Sequence, residues 1–335
     1  MEVKNRVVMA PMATNLAAPG GVVTPELVEH LEERARGGCG AVIVESATVE
    51  SRLGGTGERN LRVDTDDCVP GLAQISAALH RYDCRAIAQL WHAGPRAAVP
   101  PGELPVAPSG SSVPLPPMPR ALSKPEIRDL VAAFGQGAIR AVLSGFDGLE
   151  VHAAHGYLLH HFIDERTNRR PDAYGGGLLN RYRILAEIRE EIRSKCPASP
   201  VWIRVSLTPG DSIGRIAAHL QDIGFDAIDV RTGFSSMPVS PVPSPYTLGL
   251  AASVKAATRL AVLSGGRILT PAEAEQAVAS GVLDAVVLGR ALIADPFWPR
   301  KALAGLPVRD CKYDCRPSCY DVFKRGEHLR CVFYS

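Results

Sequence analysis

Short runs rich in β-branched residues recur along the chain, separated by stretches whose apolar positions follow a helical period. Eight runs stand out: 6–12 (RVVMAPM), 41–46 (AVIVES), 86–92 (AIAQLWH), 148–153 (GLEVHA), 201–206 (VWIRVS), 227–232 (AIDVRT), 260–266 (LAVLSGG) and 285–290 (AVVLGR). They are nearly continuously apolar, as strands buried on both faces of a parallel sheet are. Two helix starts are legible between them. Ser123-Lys-Pro-Glu126 and Thr270-Pro-Ala-Glu273 each spell a capping box, whose hydroxyl and carboxylate satisfy backbone N–H groups the helix leaves open. Eight strands alternating with helices over 335 residues predict an α/β fold, the (β/α)8 TIM barrel. A doubly wound sheet shares the alternation, but no Gly-x-Gly-x-x-Gly follows the first strand.

Two segments break the pattern. Residues 99–119 hold eight prolines and cannot be helical. Residues 235–245 (SSMPVSPVPSP) follow the sixth strand. In a barrel both fall on the C-terminal rim, as surface linkers or as lids over a substrate.

The composition supports a packed soluble protein: 46% of residues are hydrophobic and 21% charged. A net charge of +2 without a basic stripe argues against nucleic acid as a partner. No apolar stretch reaches the ~18 residues of a membrane span, and the N-terminus lacks a signal-peptide core. The expected location is the cytoplasm. The cysteines are unevenly spread. Cys39, Cys68, Cys84 and Cys196 are scattered, whereas Cys311, Cys315, Cys319 and Cys331 crowd the last 25 residues. In an intracellular chain such crowding points to a metal. Residues 1–305 are therefore read as the barrel and 306–335 as a cysteine-rich, metal-binding extension.

Polar residues at strand ends are the candidates for chemistry. His152, His155 and Tyr157 open the loop after the fourth strand; two imidazoles and a phenol can grip a carbonyl oxygen and supply a proton. A His-x-x-His pair can also hold a metal. Gln89 and His92 end the third strand. Arg204, inside the fifth, needs an anionic or carbonyl partner, for which Glu150 or Asp229 would serve. Gly265-Gly266-Arg267 and Gly289-Arg290 end the last two strands, where a barrel commonly binds phosphate.

The stretch 145–183 (GFDGLEVHAAHGYLLHHFIDERTNRRPDAYGGGLLNRYR), with NRVVMAPM near the start and the tail cysteines, resembles the old yellow enzyme family. The similarity spans nearly the whole chain. It is nearest the iron–sulfur branch that includes 2,4-dienoyl-CoA reductase and trimethylamine dehydrogenase. The resemblance implies an FMN-dependent reductase of an activated C=C bond in an enone, enoate or enoyl substrate. It places Pro11, Met12 and Ala13 against the flavin, with Ala47 nearby. Gln89 would lie at the pyrimidine edge and Arg204 by N1 and the C2 carbonyl. Gly266, Arg267, Gly289 and Arg290 would hold the phosphate. His152 and His155 would bind the substrate carbonyl, and Tyr157 would protonate Cα. Ala13 stands where many relatives carry cysteine or threonine, which implies a shifted flavin potential.

The tail spacing, Cys311-x3-Cys315-x3-Cys319-x11-Cys331, is one residue longer in the first gap than in cluster-bearing relatives. Four thiolates suit a 4Fe-4S cluster or structural zinc; the resemblance favours the cluster. Relatives of that branch continue into a flavin- and NAD-binding domain, whereas this sequence ends at Ser335. The expected electron donor is a separate redox partner protein, with NADH or NADPH as the direct alternative. An amine dehydrogenase sending electrons out through the cluster, or a non-catalytic electron-transfer subunit, are the competing readings. The sequence leaves a homo-oligomer open.

Overall fold

The computed structural model describes residues 1–110, 117–233, 247–312, 315 and 317–334. Eight parallel strands close into a barrel. They are β1 (Val7–Met9), β2 (Ala41–Thr48), β3 (Arg85–Trp91), β4 (Gly148–Ala153), β5 (Val201–Leu207), β6 (Ala227–Thr232), β7 (Ala261–Ser264) and β8 (Ala285–Leu288). Each pairs with its neighbours in sequence, and β1 pairs with β8 to close the ring. This is the (β/α)8 barrel expected. β1 is shorter than its apolar run because Pro11 has no N–H to donate; the last ladder bond runs from Ala10 N–H to Leu288 O at 2.8 Å. β7 ends at Ser264, and Gly265 follows it pressed so close to β8 that a Cβ there would lie 2.0 Å from Val287 O.

Alternation along the strands sorts the apolar side chains into two cores. Met9, Val42, Val44, Leu149, Val151, Ile203 and Val205 face outward and pack with Leu27, Ile75, Phe134 and Ile188 of the surrounding helices. Val8, Ala41, Ile43, Ile87, Trp202, Ala227, Leu263 and Val287 fill the lumen. Toward the C-terminal end the filling turns polar. Gln89, Glu150, Arg204 and Asp229 are all buried there, with Gln89 in register with Glu150 and Arg204 with Asp229. This polar layer is the floor of the site.

Both expected capping boxes form, at Ser123/Glu126 and Thr270/Glu273. A third, Ser318/Asp321, starts the tail helix Cys319–Lys324. The described part of the proline-rich segment holds no helix: Val106–Ala107 pairs with Arg120–Ala121, and Ser109 Oγ donates to Thr167 O at 2.9 Å. The described part of that segment is thus stitched to the loop after β4, and none of it lines the cavity at the barrel mouth. Residues 235–245 lie outside the described residues. Among the described residues, no helix is long and apolar enough to cross a membrane.

The tail folds back over the barrel. Asn15 Nδ2 donates to Phe323 O and Glu327 O, both at 3.1 Å, and Leu329 N–H donates to Thr14 O at 2.8 Å. Beneath this seam β2 carries a bulge between Val44 and Ala47, where its register against β3 shifts. There Glu45 Oε2 accepts from Thr14 Oγ1 at 2.6 Å and from Thr14 N at 3.0 Å. Burial nevertheless pushes the Glu45 carboxyl up to about 7 from its ordinary 4.5. The folded protein therefore holds a proton between those values that the unfolded chain has released, so stability falls as pH rises through that window. Glu45→Gln is expected to flatten part of this fall in urea midpoints measured from pH 4.5 to 7.5. An unchanged slope would show that the carboxyl is ionised throughout.

Candidate active site

A cavity of about 710 Å³ opens at the C-terminal mouth of the barrel. Pro11, Met12, Ala13, His152, His155, Tyr157, Arg204, Gly266, Arg267, Gly289, Arg290 and Cys319 all line it. Two expected residues do not reach its surface. Ala47 is buried past the bulge in β2, and Gln89 lies one layer down. There Gln89 accepts from Ser46 Oγ and donates to Glu150 Oε2, so it meets the cavity only through Ser46, which does line it. His92 is also off the cavity: its Nδ1 accepts from Gly94 N–H at 3.0 Å and its Nε2 faces Glu50 at 3.4 Å.

The turn after β4 aims the His–His–Tyr set. His155 and Gly156 both adopt left-handed backbone (φ 60° and 74°), reversing the chain between Ala153 and the short helix Leu158–Ile163. Ser206 Oγ holds the His155 N–H at 3.0 Å. The His152 ring meets His155 and Tyr157 edge-on at 5.3 Å each, and Trp91 meets Tyr157 at 5.0 Å. His152 Nδ1 accepts from Ala154 N–H at 3.2 Å, which leaves the ring proton on Nε2 when the imidazole is neutral. Burial, then the charge of Arg204, holds His152 well below its ordinary value; burial and His152 do the same to His155. Both are therefore neutral donors at pH 7. Burial raises the Tyr157 phenol, keeping it protonated, against an opposing pull from Arg96 over its ring at 5.7 Å.

Below this wall, Arg204 binds Asp229 through Nε at 2.7 Å and Nη2 at 2.6 Å, and its Nε stands 3.4 Å from Glu150. Both carboxylates anticipated from the sequence are thus its partners. Opposite, Gly266 and Arg267 take left-handed backbone (φ 100° and 61°). A Cβ on Gly289 would meet Met12 Sδ at 3.2 Å, so glycine keeps this side of the cavity open. Sequence reasoning missed several residues of the lining, among them Ser46, Trp91, Arg231 and Tyr320.

Among the described residues, four arginines and no Asp or Glu line the cavity. Trp91 Nε1 and Arg231 Nε are buried there without hydrogen-bond partners among the described residues. Unpaired buried donors in an acid-free pocket fit a planar ligand that carries negative charge, which is the chemistry of FMN. In the tail, Cys311, Cys315 and Cys331 lie near enough to add to burial in pushing the Cys319 thiol up to about 11, while Arg290 pulls it down. Among the described residues, no group of three His, Cys, Asp or Glu side chains is gathered for a metal ion.

A closed parallel barrel with an arginine-lined mouth is the frame of a barrel enzyme that takes an anionic ligand. The chain belongs to the NADH:flavin oxidoreductase / NADH oxidase family, whose sequence profile matches residues 1–309. It is 37% identical to an NADH oxidase of Thermoanaerobacter brockii over 98% of its length, and it spans only 54% of that protein. It is 34% identical to an NADPH dehydrogenase of Halalkalibacterium halodurans, covering 89% of this chain and 90% of the relative. Among solved structures it superposes on 2-naphthoyl-CoA reductase in complex with 2-naphthoyl-CoA with a TM-score of 0.89 and 28% identity, covering 98% of this chain and 54% of the other. The old yellow enzyme homologue of Zymomonas mobilis gives a TM-score of 0.80 at 28% identity, covering 92% and 91%. This chain is an enzyme of that family, with flavin as cofactor and nicotinamides as family coenzymes.

Proposed function

We propose that the chain reduces a C=C bond conjugated to a carbonyl, using FMN seated in the cavity at the barrel mouth. The observation that carries this reading is the neutral His152/His155 pair beside the protonated Tyr157, on the wall of an arginine-lined pocket. Arg267 and Arg290, on the glycine turns of Gly266 and Gly289, hold the phosphate. Arg204 lies at the pyrimidine edge, with Gln89 acting through Ser46. Pro11, Met12 and Ala13 pack against the ring, with Ala47 behind them. FMN bound there supplies the hydride for the β-carbon.

The protein's own task is to hold the substrate oxygen and deliver the proton. His152 donates from Nε2 to the carbonyl oxygen, and the neighbouring His155 ring completes the grip. Uncharged donors fixed before reaction stabilise the enolate oxygen without a rearrangement at the moment of charge development. Tyr157, whose ring is pinned between Trp91 and His152, holds its phenolic proton for Cα.

In the tail, Cys311, Cys315, Cys319 and Cys331 would supply the ligands of a 4Fe-4S cluster, with zinc as the alternative, once drawn together, since no three of them are gathered in this structure. Four thiols in one segment supply the right number and chemistry, and Cys319 faces the cavity itself. The cluster would carry electrons to or from the flavin. The donor is then a redox partner protein; NADH or NADPH serves where the flavin is reduced directly.

Anaerobic purification followed by a visible spectrum, cofactor extraction and assay with NADPH and cyclohexenone tests the reading. FMN released in equimolar amount and enone-dependent flavin reoxidation are expected. Colourless protein that takes up no FMN, or turnover of small amines in place of enones, would overturn it. Iron and acid-labile sulfide in the same sample support the cluster, whereas zinc without iron excludes it.

A further inference from the structure

One cation of the cavity has no role in that scheme. Arg231 lies in β6 two residues beyond Asp229, on the same face of the strand. Its Nη2 stands 3.0 Å from Asp229 Oδ1 and hydrogen-bonds Oδ2 at 3.1 Å, on the carboxylate that Arg204 already grips. Its Nε is buried without a hydrogen-bond partner among the described residues. Its Nη1 lies 3.0 Å from where a Cβ on Gly265 would sit. The guanidinium therefore spans from the floor carboxylate to the glycine turn after β7.

The charge count of this cluster does not close. Two guanidiniums share Asp229, and among the described residues the other acid of the layer is Glu150, 3.4 Å from Arg204. Burial, reinforced by the charge of Asp229, pushes the Glu150 carboxyl up despite Arg204, which weakens it as an offset to the second cation. Buried charge left in excess costs several kcal/mol unless a partner arrives. The cavity side of Arg231 is where that partner must bind.

We propose that Arg231 is a second anion-holding residue of the cofactor cavity, which with Arg204 stabilises the negative charge that FMN acquires on reduction. This rests on the FMN reading above. Hydride transfer from a nicotinamide brings two electrons and one proton to the ring and oxidises the nicotinamide, leaving the flavin one charge more negative. Because Arg267 and Arg290 serve the phosphate, whose charge does not change with redox state, Arg231 is free to discriminate between the two states. A merely structural bridge to Asp229 would not discriminate.

The test compares FMN-loaded wild type with Arg231→Met and Arg231→Gln, which remove the charge, and Arg231→Lys, which keeps it. Midpoint potentials come from anaerobic titration against a reference dye, and the affinity for oxidised FMN from fluorescence. The neutral variants are expected to bind reduced FMN about tenfold more weakly relative to oxidised FMN, a midpoint about 30 mV lower for a two-electron couple. Arg231→Lys should stay near wild type. Loss of FMN from folded neutral variants, but not from the lysine variant, also supports the proposal. Neutral variants at the wild-type potential, or a lysine variant displaced as far as the methionine one, would overturn it. A wild-type protein that takes up no FMN would instead overturn the cofactor reading and this inference with it.

Discussion

Tyr157→Phe is expected to lower the rate of enone reduction by roughly 10²–10⁴-fold, the range a positioned proton donor contributes. Reduction of the flavin by its electron donor should be unaffected. The substitution separates chemistry from packing. The ring holds its place through edge contacts with Trp91 and His152 at 5.0 and 5.3 Å, and phenylalanine keeps both. Because phenylalanine keeps these ring contacts, stability should change little. Stopped-flow traces of the two half-reactions distinguish the outcomes. Slow reoxidation by enone with normal reduction identifies Tyr157 as the donor. Normal reoxidation would pass the role to His155 or to water.

The barrel was legible because its signal is redundant: eight apolar runs, the helical periods between them and two capping boxes all specify one architecture. The site was legible where a charge interrupts an apolar strand. Arg204 was found in this way, and Arg231 carries the same signal inside AIDVRT, one strand on. What the sequence hides is geometry that depends on register. The bulge in β2 turns Ser46 toward the cavity and leaves Ala47 buried, and no residue pattern marks it. Contact of the tail with the mouth is equally silent in sequence, because the hydrogen bonds of Asn15 reach residues 308 and 312 positions away. The proline-rich segment shows the limit of composition. Proline content excluded a helix, but hydrogen bonds to the loop after β4, not proline spacing, decide where the segment lies.

The largest effect on stability is expected at Arg204. Arg204→Met keeps an apolar stem but removes the cation that sits between Asp229 and Glu150, both of them fully buried. Breaking a buried pair by removing one partner typically costs about 3–5 kcal/mol, because the remaining charge is stranded. Arg231 stays on Asp229 and keeps that carboxylate compensated, so the stranded group is Glu150. Burial already pushes its carboxyl up, with Arg204 pulling it down, and without that pull it rises further. A carboxyl whose folded value exceeds its unfolded one favours the fold at low pH and loses that advantage as pH rises. The destabilisation of Arg204→Met should therefore be smaller at pH 5 than at pH 8, growing as rising pH favours an ionised Glu150 in the wild type. Urea unfolding of FMN-free protein at both values reads it without the added stability of a bound cofactor. The double variant with Glu150→Gln should recover much of the loss at pH 8, since it removes the group that would otherwise ionise in the core. A loss equal at both pH values, or one the second substitution leaves untouched, would mean that Arg204 stabilises the barrel by packing and not by its charge.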